Sequence, residues 1–301
     1  MEGFFYFEIM KKLNFLFLLL PFLIFAQKPN LNKKINAITK GKNATVAVSV
    51  TGIDFPLEYG NKNNTKKLPM LSVFKFHIAL AVLNEVEKGK LNLNQIIFIK
   101  KSELLEKTWS PIREKYPEGN IEMTLDQVLK YTVSQSDNNG CDILLRLIGG
   151  TETVQKFMNE KGVKDFQILH NEEKMHQDAE FLYQNYTTTS SLNQLFKSFY
   201  FNKILSKKST DYLMKIMLET TTGANKLVEQ LPKNTVAHKT GSSGKLNSGL
   251  TIAENDAGIV TLPNGKHYAI SVFVIDSMES EAVNTKMVSD ISKTVWDFLN
   301  K

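Results

Sequence analysis

The sequence predicts an α+β fold in which helices flank an antiparallel sheet built from both ends of the chain. Strand-like alternation of apolar and polar residues is found at Thr45–Val50 and again between residues 235 and 275. The intervening stretch, about 70 to 220, carries apolar residues at helical spacing instead. We therefore expect the helical middle to pack beside the sheet, with a ligand-sized cleft between the two units.

The individual elements follow from spacing and from start and stop signals. A helix near residues 30 to 40 is expected to precede the first strand, and the helical middle divides into segments at 72–89, 124–134, 141–148, 152–161, 188–200 and 209–219. A strand at 235–239 is followed by a hairpin, with strands 257–262 and 268–275 around Pro263-Asn264-Gly265. The last helix is amphipathic, with apolar residues at Val288, Ile291, Val295 and Phe298.

The first of three short motifs is Ser72-Val73-Phe74-Lys75, which opens a predicted helix after Pro69. Ser72 would lie at the positive end of the helix dipole, where a negative oxygen is stabilised. Lys75 comes up on the same face and could take the serine proton. Taken alone, the motif is better explained by an N-cap serine followed by a solvent-facing lysine.

The second motif is Ser136-Asp137-Asn138, in a turn-rich break after the helix that starts at Thr124. A hydroxyl and a carboxamide on such a turn can face a cleft, although polar residues there can also simply cap helices.

The third motif is Lys239-Thr240-Gly241, which ends a strand-like run and leads into Ser242. A lysine on an exposed strand edge suits capture of a carboxylate, and the glycine would let a ligand approach the backbone. An ordinary strand end with a glycine turn is the structural alternative.

Together the three motifs indicate an acyl-transfer site with a serine nucleophile, and S-x-x-K, S-D-N and K-T-G form a known signature of class A β-lactamases and penicillin-binding proteins. The chain resembles a class A serine β-lactamase over nearly all of its mature length, in the extended-spectrum branch with a variant Ω-loop. Further matching stretches are Lys107–Pro111, Ser136–Asp142 and Thr220–Gly223. The resemblance implies a five-stranded sheet domain of residues 27–69 and 220–301, and an all-helical domain of residues 70–219.

The resemblance also implies a role for each site residue. Ser72 would be the acylated nucleophile, Lys75 its proton partner, and Ser136 the relay to the leaving nitrogen. Asn138 would bind the substrate side-chain amide, and Trp109 would flank the cleft. The remaining contacts would come from the third motif, with the substrate carboxylate on Lys239 and Thr240, beside Gly241, and the oxyanion on the backbone amides of Ser72 and Ser242.

Hydrolysis of an acyl-serine needs a carboxylate to activate water, and class A enzymes carry it in an E-x-x-L-N pattern on the Ω-loop. The sequence Asn171-Glu172-Glu173-Lys174-Met175-His176 matches the glutamate at Glu172 and departs from the pattern at Glu173 and His176. We expect Glu172 to be the base and His176 to border the substrate site. A second alignment places the base at Glu180, and Glu172 with Glu173 could also be a solvated acidic patch. No arginine is evident behind the carboxylate site, where Lys226 either substitutes for it or is a plain surface lysine.

The N-terminus has the pattern of a cleaved secretory signal, residues 1–26. Lys11-Lys12 precede an apolar run, Leu13–Phe25, which is short for a membrane span. With this resemblance, the pattern implies a periplasmic enzyme, monomeric and without stable membrane association after cleavage. An uncleaved anchor is the alternative, and Met10 is an alternative start.

The composition argues against several other classes. The chain has 301 residues, 42% hydrophobic, and a net charge of +6 without a basic block interleaved with aromatics, so nucleic acid is not an expected partner. The histidines lack metal-site spacing, and we expect neither a metal nor an organic cofactor. The single cysteine, Cys141, is expected to be a buried structural thiol.

The predicted function is hydrolysis of penicillins and cephalosporins, conferring β-lactam resistance. The alternatives are a penicillin-binding D,D-peptidase, which shares the motifs but deacylates slowly, and a β-lactam-binding sensor domain, which would be acylated once. Glu172 argues against the peptidase, and an inactive homologue is disfavoured by the intact motifs.

Overall fold

A computed structural model describes residues 30–300. Its strands, in chain order, are β1 Thr45–Gly52, β2 Glu58–Gly60, β3 Leu68–Pro69, β4 Ile96–Ile99, β5 Ile121–Thr124, β6 Phe166–Gln167, β7 Tyr186–Thr187, β8 Val236–Ser242, β9 Thr251–Thr261 and β10 His267–Ser277. Its α-helices are α1 30–39, α2 Phe74–Glu87, α3 Pro111–Lys115, α4 Leu125–Ser134, α5 Asn138–Ile148, α6 Thr151–Glu160, α7 Glu172–Met175, α8 Ala179–Gln184, α9 Thr189–Tyr200, α10 Lys207–Leu218 and α11 Glu281–Leu299.

The main sheet has five antiparallel strands in the order β2-β1-β10-β9-β8. It therefore joins the first strands of the described chain to the last ones, which confirms the predicted fold class. The register pairs Thr45 with Ile275 and Thr240 with Asp256. Strand β8, which carries the third motif, lies at one edge of this sheet.

Helices cover both faces of the sheet. Apolar side chains of α1 and α11 pack on one face against alternate residues of β1 and β10, among them Val48 and Val272. On the other face α9 docks through buried polar contacts. Asn193 of α9 donates to the carbonyl of Ala269 at 3.2 Å and accepts from Ser271 Oγ at 2.7 Å. Helix α9 therefore contacts the sheet, although it lies within residues 70–219, the predicted all-helical domain. The boundaries between the two domains stay a prediction.

Most element positions agree with the sequence pattern to within a few residues, and three of the differences concern the motifs or the strand beside them. The predicted helix at 72–89 begins only at Phe74, after a 3₁₀ turn of Leu71–Val73. Helix α5 begins at Asn138, not 141, because the carboxylate of Asp137 accepts the amide of Gly140 at 2.8 Å and caps the helix three residues early. Strand β9 begins at Thr251, six residues before the predicted start.

The predicted signal segment, residues 1–26, lies outside the described residues. Within the part of the chain that the structure describes, none of the helices combines the length and hydropathy that a membrane crossing requires.

Candidate active site

The nucleophile candidate Ser72 lies in the 3₁₀ turn that precedes α2. The first residue of the turn is Leu71. Its φ of +47° lies in the left-handed region, which residues with a side chain disfavour. Two contacts hold this backbone. The Asn255 side-chain amide donates to the carbonyl of Pro69 at 2.9 Å, and the Met70 amide donates to the carbonyl of Asn185 at 2.9 Å.

Lys75, one helical turn on, forms the centre of the site. Its ammonium donates to Ser72 Oγ and to Asn138 Oδ1, both at 2.6 Å, and it forms an ion pair with Glu172 Oε1. Ser72 Oγ also lies 3.4 Å from the same carboxylate oxygen. Lys75 is fully buried, and its ammonium finds an ion-pair partner and hydrogen-bond acceptors among protein side chains. The structure thus brings the hydroxyl, an amine and a carboxylate into one connected group.

The second motif faces this group from the helical side. Ser136 adopts a φ of +59°, and its Oγ accepts a hydrogen bond from Lys239 Nζ at 2.8 Å. Asp137 does not face the cleft, since its buried carboxylate accepts the amide of Ile112 at 2.6 Å as well as that of Gly140. The motif therefore combines site residues with a residue that fixes the local backbone.

Lys239 lies on the edge strand, as predicted, but it is not exposed. Its side chain is fully buried and its ammonium also donates to the carbonyl of Thr240 at 2.9 Å. Burial, with the neighbouring Lys75 ammonium, lowers the pKa of Lys239 well below its ordinary value. The expectation of an exposed lysine was wrong because the helical unit packs over this strand and covers it.

Gly241 is needed for the packing of β8 against the turn that carries Ser72. A Cβ at this position would lie 2.5 Å from the Met70 carbonyl oxygen and 3.2 Å from the Ser72 amide nitrogen. Glycine therefore lets β8 lie directly against the 3₁₀ turn that carries Ser72, so the backbones of Ser72 and Ser242 are brought to the same edge of the cleft. Thr240 is fixed beside it, with Oγ1 at 2.7 Å from Thr222 Oγ1.

The Ω-loop presents Glu172 at the first position of the short helix α7. Asp142 of α5 holds this helix end, because its carboxylate accepts the amides of Glu172 at 2.8 Å and Glu173 at 2.9 Å. Burial raises the pKa of Asp142 to about 6. Glu172 is 5% exposed, so it is not part of a solvated patch, whereas Glu173 is exposed. Glu180 is also exposed, at the start of α8.

His176 links the Ω-loop to the opposite wall. Its Nδ1 donates to the carbonyl of Glu172 at 2.7 Å, because a carbonyl can only accept, and its Nε2 lies 3.1 Å from Thr108 Oγ1. Thr108 Oγ1 in turn accepts from Asn138 Nδ2 at 2.7 Å. A continuous chain of polar contacts therefore runs from the Ω-loop through His176 and Thr108 to Asn138.

These residues surround a cleft of about 440 Å³. Six of the predicted site residues line it: Ser72, Trp109, Asn138, Glu172, His176 and Ser242. Trp109 is 53% exposed, and its indole N–H donates to the carbonyl of Gln135 at 2.8 Å, which fixes the ring as a wall of the cleft rather than as a core side chain. Lys75, Ser136 and Lys239 lie behind this surface and are buried.

Lys226 is not a surface residue, so that interpretation was wrong. It is 5% exposed and forms an ion pair with the equally buried Glu254. The fully buried Cys141 is a free thiol, and burial raises its pKa well above the ordinary value. Within residues 30–300, no three His, Cys, Asp or Glu side chains are grouped as a metal site requires.

The sequence pattern missed the buried polar residues Glu254, Asn255 and Asp256 on β9. Three consecutive polar residues are typical of a turn, and the strand was predicted to begin after them. Asp256 is fully buried and lies 2.9 Å from His238 Nδ1, and Asn255 holds the nucleophile turn. Strand pairing could have revealed these residues. The strand that pairs with Lys239–Ser242 must be long enough to reach the third motif, so it has to begin before residue 257.

Comparisons with known proteins agree with this geometry. The family model described as "Beta-lactamase enzyme family" matches residues 30–299. The chain is 50% identical over 301 residues to β-lactamase VEB-1 of Pseudomonas aeruginosa, covering 98% of this chain and 100% of that relative. It is 41% identical over 274 residues to extended-spectrum β-lactamase PER-1 of Pseudomonas aeruginosa, covering 91% and 88%.

Solved structures show the same fold. The crystal structure of TLA-3 extended-spectrum β-lactamase superposes with a TM-score of 0.89 at 48% identity, covering 91% of this chain and 100% of that one. That of TLA-1 superposes with a TM-score of 0.88 at 49% identity, covering 91% and 99%.

Proposed function

Since this chain belongs to the class A β-lactamases and is a β-lactam hydrolase, we propose that it acts through an acyl-enzyme on Ser72, formed with Lys75 and hydrolysed with Glu172. The observation that carries the proposal is the group formed by these three residues. One lysine contacts both the serine hydroxyl and the Ω-loop carboxylate, and the carboxylate itself lies 3.4 Å from that hydroxyl.

Acylation begins with proton transfer from Lys75 to Glu172 across their ion pair, which leaves a neutral amine beside Ser72 Oγ. The amine takes the hydroxyl proton as Oγ forms a bond to the lactam carbonyl carbon. The negative charge on the carbonyl oxygen is stabilised by the backbone amides of Ser72 and Ser242. The carbon–nitrogen bond then breaks, and the proton taken from Ser72 reaches the nitrogen through the Ser136 hydroxyl. Glu172 returns its proton to Lys75.

Deacylation uses the same carboxylate as a base. Glu172 takes a proton from a water molecule, whose oxygen bonds to the acyl carbon. As the bond from Ser72 Oγ to that carbon breaks, Glu172 passes the proton to Oγ. Asp142 supports this step by holding the amides of Glu172 and Glu173, which fixes the carboxylate against the nucleophile.

The substrate is anchored at both ends of the cleft. Lys239 and Thr240 bind its carboxylate, Asn138 its side-chain amide, and Trp109 and His176 border the bound molecule. The PER-1 and TLA-3 relatives are named extended-spectrum β-lactamases. We propose penicillins and cephalosporins as substrates of this chain, which acts as a monomer in the periplasm after removal of residues 1–26. The pattern Lys11-Lys12 followed by Leu13–Phe25 supports this location.

The experiment is a time course of ring opening of a chromogenic cephalosporin in large excess by the purified full chain, with mass spectrometry of the protein. Sustained turnover with an adduct that maps to Ser72 is expected. A burst of about one equivalent followed by a stall would instead indicate a penicillin-binding protein or sensor. Ser72→Ala should show neither turnover nor adduct, and covalent labelling of that variant would exclude Ser72 as the nucleophile.

A further inference from the structure

A buried ion pair lies directly behind the proposed carboxylate site. Lys226 Nζ contacts Glu254 Oε1, and only 6% and 4% of the two side chains are exposed. The Lys226 ammonium also donates to the carbonyl of Asn255 at 3.3 Å. A Cβ on Gly223 would lie 2.5 Å from Thr240 Cγ2 and 3.4 Å from Lys226 Cδ, so the lysine stem and Thr240 share one neighbour. The lysine therefore has a position from which its charge could act on a ligand at Thr240.

Glu254 also engages the residue at the mouth of this site. Ser242 and Glu254 are cross-strand partners, and Ser242 Oγ donates to Glu254 Oε2 at 2.9 Å. The same Oγ accepts the Gly244 amide at 3.2 Å. The proton of the Ser242 hydroxyl is thus directed into the protein, although Ser242 lines the cleft.

The other nearby carboxylate does not share this arrangement. Both oxygens of Asp256 already accept hydrogen bonds, at 2.9 and 3.0 Å from His238 Nδ1 and at 3.2 Å from the Leu227 amide. Glu254 is therefore the group that neutralises Lys226. A buried ion pair contributes little net stability compared with apolar residues of the same volume, so stability alone does not explain its presence here.

We propose that Glu254 is a specificity-determining residue that withholds both the Lys226 charge and the Ser242 hydroxyl from the substrate carboxylate. This inference rests on the proposed function, since it assumes that the carboxylate binds at Lys239 and Thr240. Recognition of the anion is left to these two residues, and the enzyme binds anionic β-lactams less tightly than its basic residues would allow. The negative charge of Glu254 therefore contributes to specificity by weakening the binding of an anionic ligand.

The test compares KM and kcat of the parent, Glu254→Gln, Lys226→Gln and the double variant, using a cephalosporin with a free carboxylate and the methyl ester of the same compound. For the free acid, Glu254→Gln should lower KM about fivefold and Lys226→Gln should raise it about fivefold, with kcat little changed, because one charge near the ligand is gained or lost. The double variant should return KM to near the parental value. For the ester, KM should not depend on either substitution.

Asp290→Asn is the matched control, because it removes one carboxylate from the exposed Lys286–Asp290 pair on α11 and should leave both constants unchanged. A parent that turns over substrate, combined with a Glu254→Gln variant whose KM for the acid is unchanged or raised, overturns the inference but not the proposed function. A parent without turnover refutes the proposed function instead.

If Glu254→Gln alone does not fold, Lys226→Gln and the double variant decide, since adding Glu254→Gln to Lys226→Gln must lower KM for the acid. An unchanged KM in that pair also overturns the inference.

Discussion

The side-chain amide of Asn255, on strand β9, donates a hydrogen bond at 2.9 Å to the carbonyl oxygen of Pro69, three residues before the proposed nucleophile Ser72. The same amide lies 3.3 Å from the Met70 carbonyl oxygen. The sheet therefore holds the backbone that enters the left-handed conformation at Leu71. This contact makes the geometry of Ser72 depend on a strand far from it in sequence.

Replacing Asn255 by alanine should reduce acylation more than it reduces deacylation, because it releases the backbone before Ser72 and leaves Glu172 in place. Two carbonyl oxygens lose their donor, and the free energy of unfolding should fall by about 1–3 kcal/mol. Stopped-flow measurement of both steps, with thermal unfolding, tests this. Asn247→Ala, at an exposed loop position, is the control and should behave as the parent. Equal losses in both rates would show that Asn255 acts on the whole site.

A side chain at position 241 should separate the third motif from the nucleophile turn. In Gly241→Ala the new Cβ would lie 2.5 Å from the backbone oxygen of Met70, which cannot move like a flexible side chain. We expect kcat/KM to fall at least about tenfold, with destabilisation of about 1–3 kcal/mol from overpacking. Steady-state kinetics and chemical unfolding measure the two effects. Ser243→Ala is the nearby control, and parental kinetics in Gly241→Ala would contradict the packing argument.

The carboxylate that activates water can be identified by trapping. Glu172→Gln should form the acyl-enzyme more slowly than the parent, because Lys75 loses its proton acceptor, but it should still accumulate the adduct, because the amide cannot accept the water proton needed for deacylation. Glu180→Gln is the matched control and should turn over at the parental rate, since Glu180 is exposed on α8. Intact-protein mass spectrometry after mixing with substrate shows which variant retains the adduct. Turnover at the parental rate in Glu172→Gln would exclude Glu172 as the base that activates water.

Stability should decrease as the pH falls from about 6.5 towards 4, because burial lowers the pKa of His77 to about 4. An unfolded histidine titrates near 6.5, so between these values the unfolded chain binds the proton and the folded chain does not. This stabilisation is complete above about pH 6.5 and is lost as pH falls through the window, by about 3 kcal/mol in total.

Chemical unfolding at pH 7 and pH 4, for the parent and for His77→Leu, measures the contribution of this group. The leucine variant should lose less stability between the two values than the parent does. The same decrease in both proteins would assign the pH dependence to other groups.

The three motifs were predictable as a group because each depends on local features: a serine before a helix, a polar helix start, and a strand end. The five-stranded sheet followed from strand patterns at both ends of the chain. Burial of Lys239 was not predictable in this way, since it results from packing of the helical unit over β8. The Lys226–Glu254 pair was missed for a related reason, because only strand pairing brings β9 against the third motif.

The sequence alone also did not reveal the structural roles of one glycine, Gly241, and one aspartate, Asp137. Gly241 was predicted to let a ligand approach the backbone, and the structure adds a second reason for glycine there, because a Cβ would lie 2.5 Å from the Met70 carbonyl oxygen. Asp137, within a motif of site residues, supports the backbone of Ile112 and Gly140 instead. In both cases the contacting group is a backbone atom. It belongs either to a residue distant in sequence or to the next helical turn, and residue type alone does not indicate such a contact.

The pairing of β1 with β10 has a consequence for how the enzyme is produced. Thr45 finds its partner only when Ile275 has been synthesised, and the contact order of the sheet is correspondingly high, which slows folding. Asn255 and Gly241, which shape the nucleophile turn, also lie in the last part of the chain. A nascent chain that stops before β8 therefore lacks one wall of the cleft and the side chain that holds the backbone before Ser72, so the site is completed only when nearly the whole polypeptide has been synthesised.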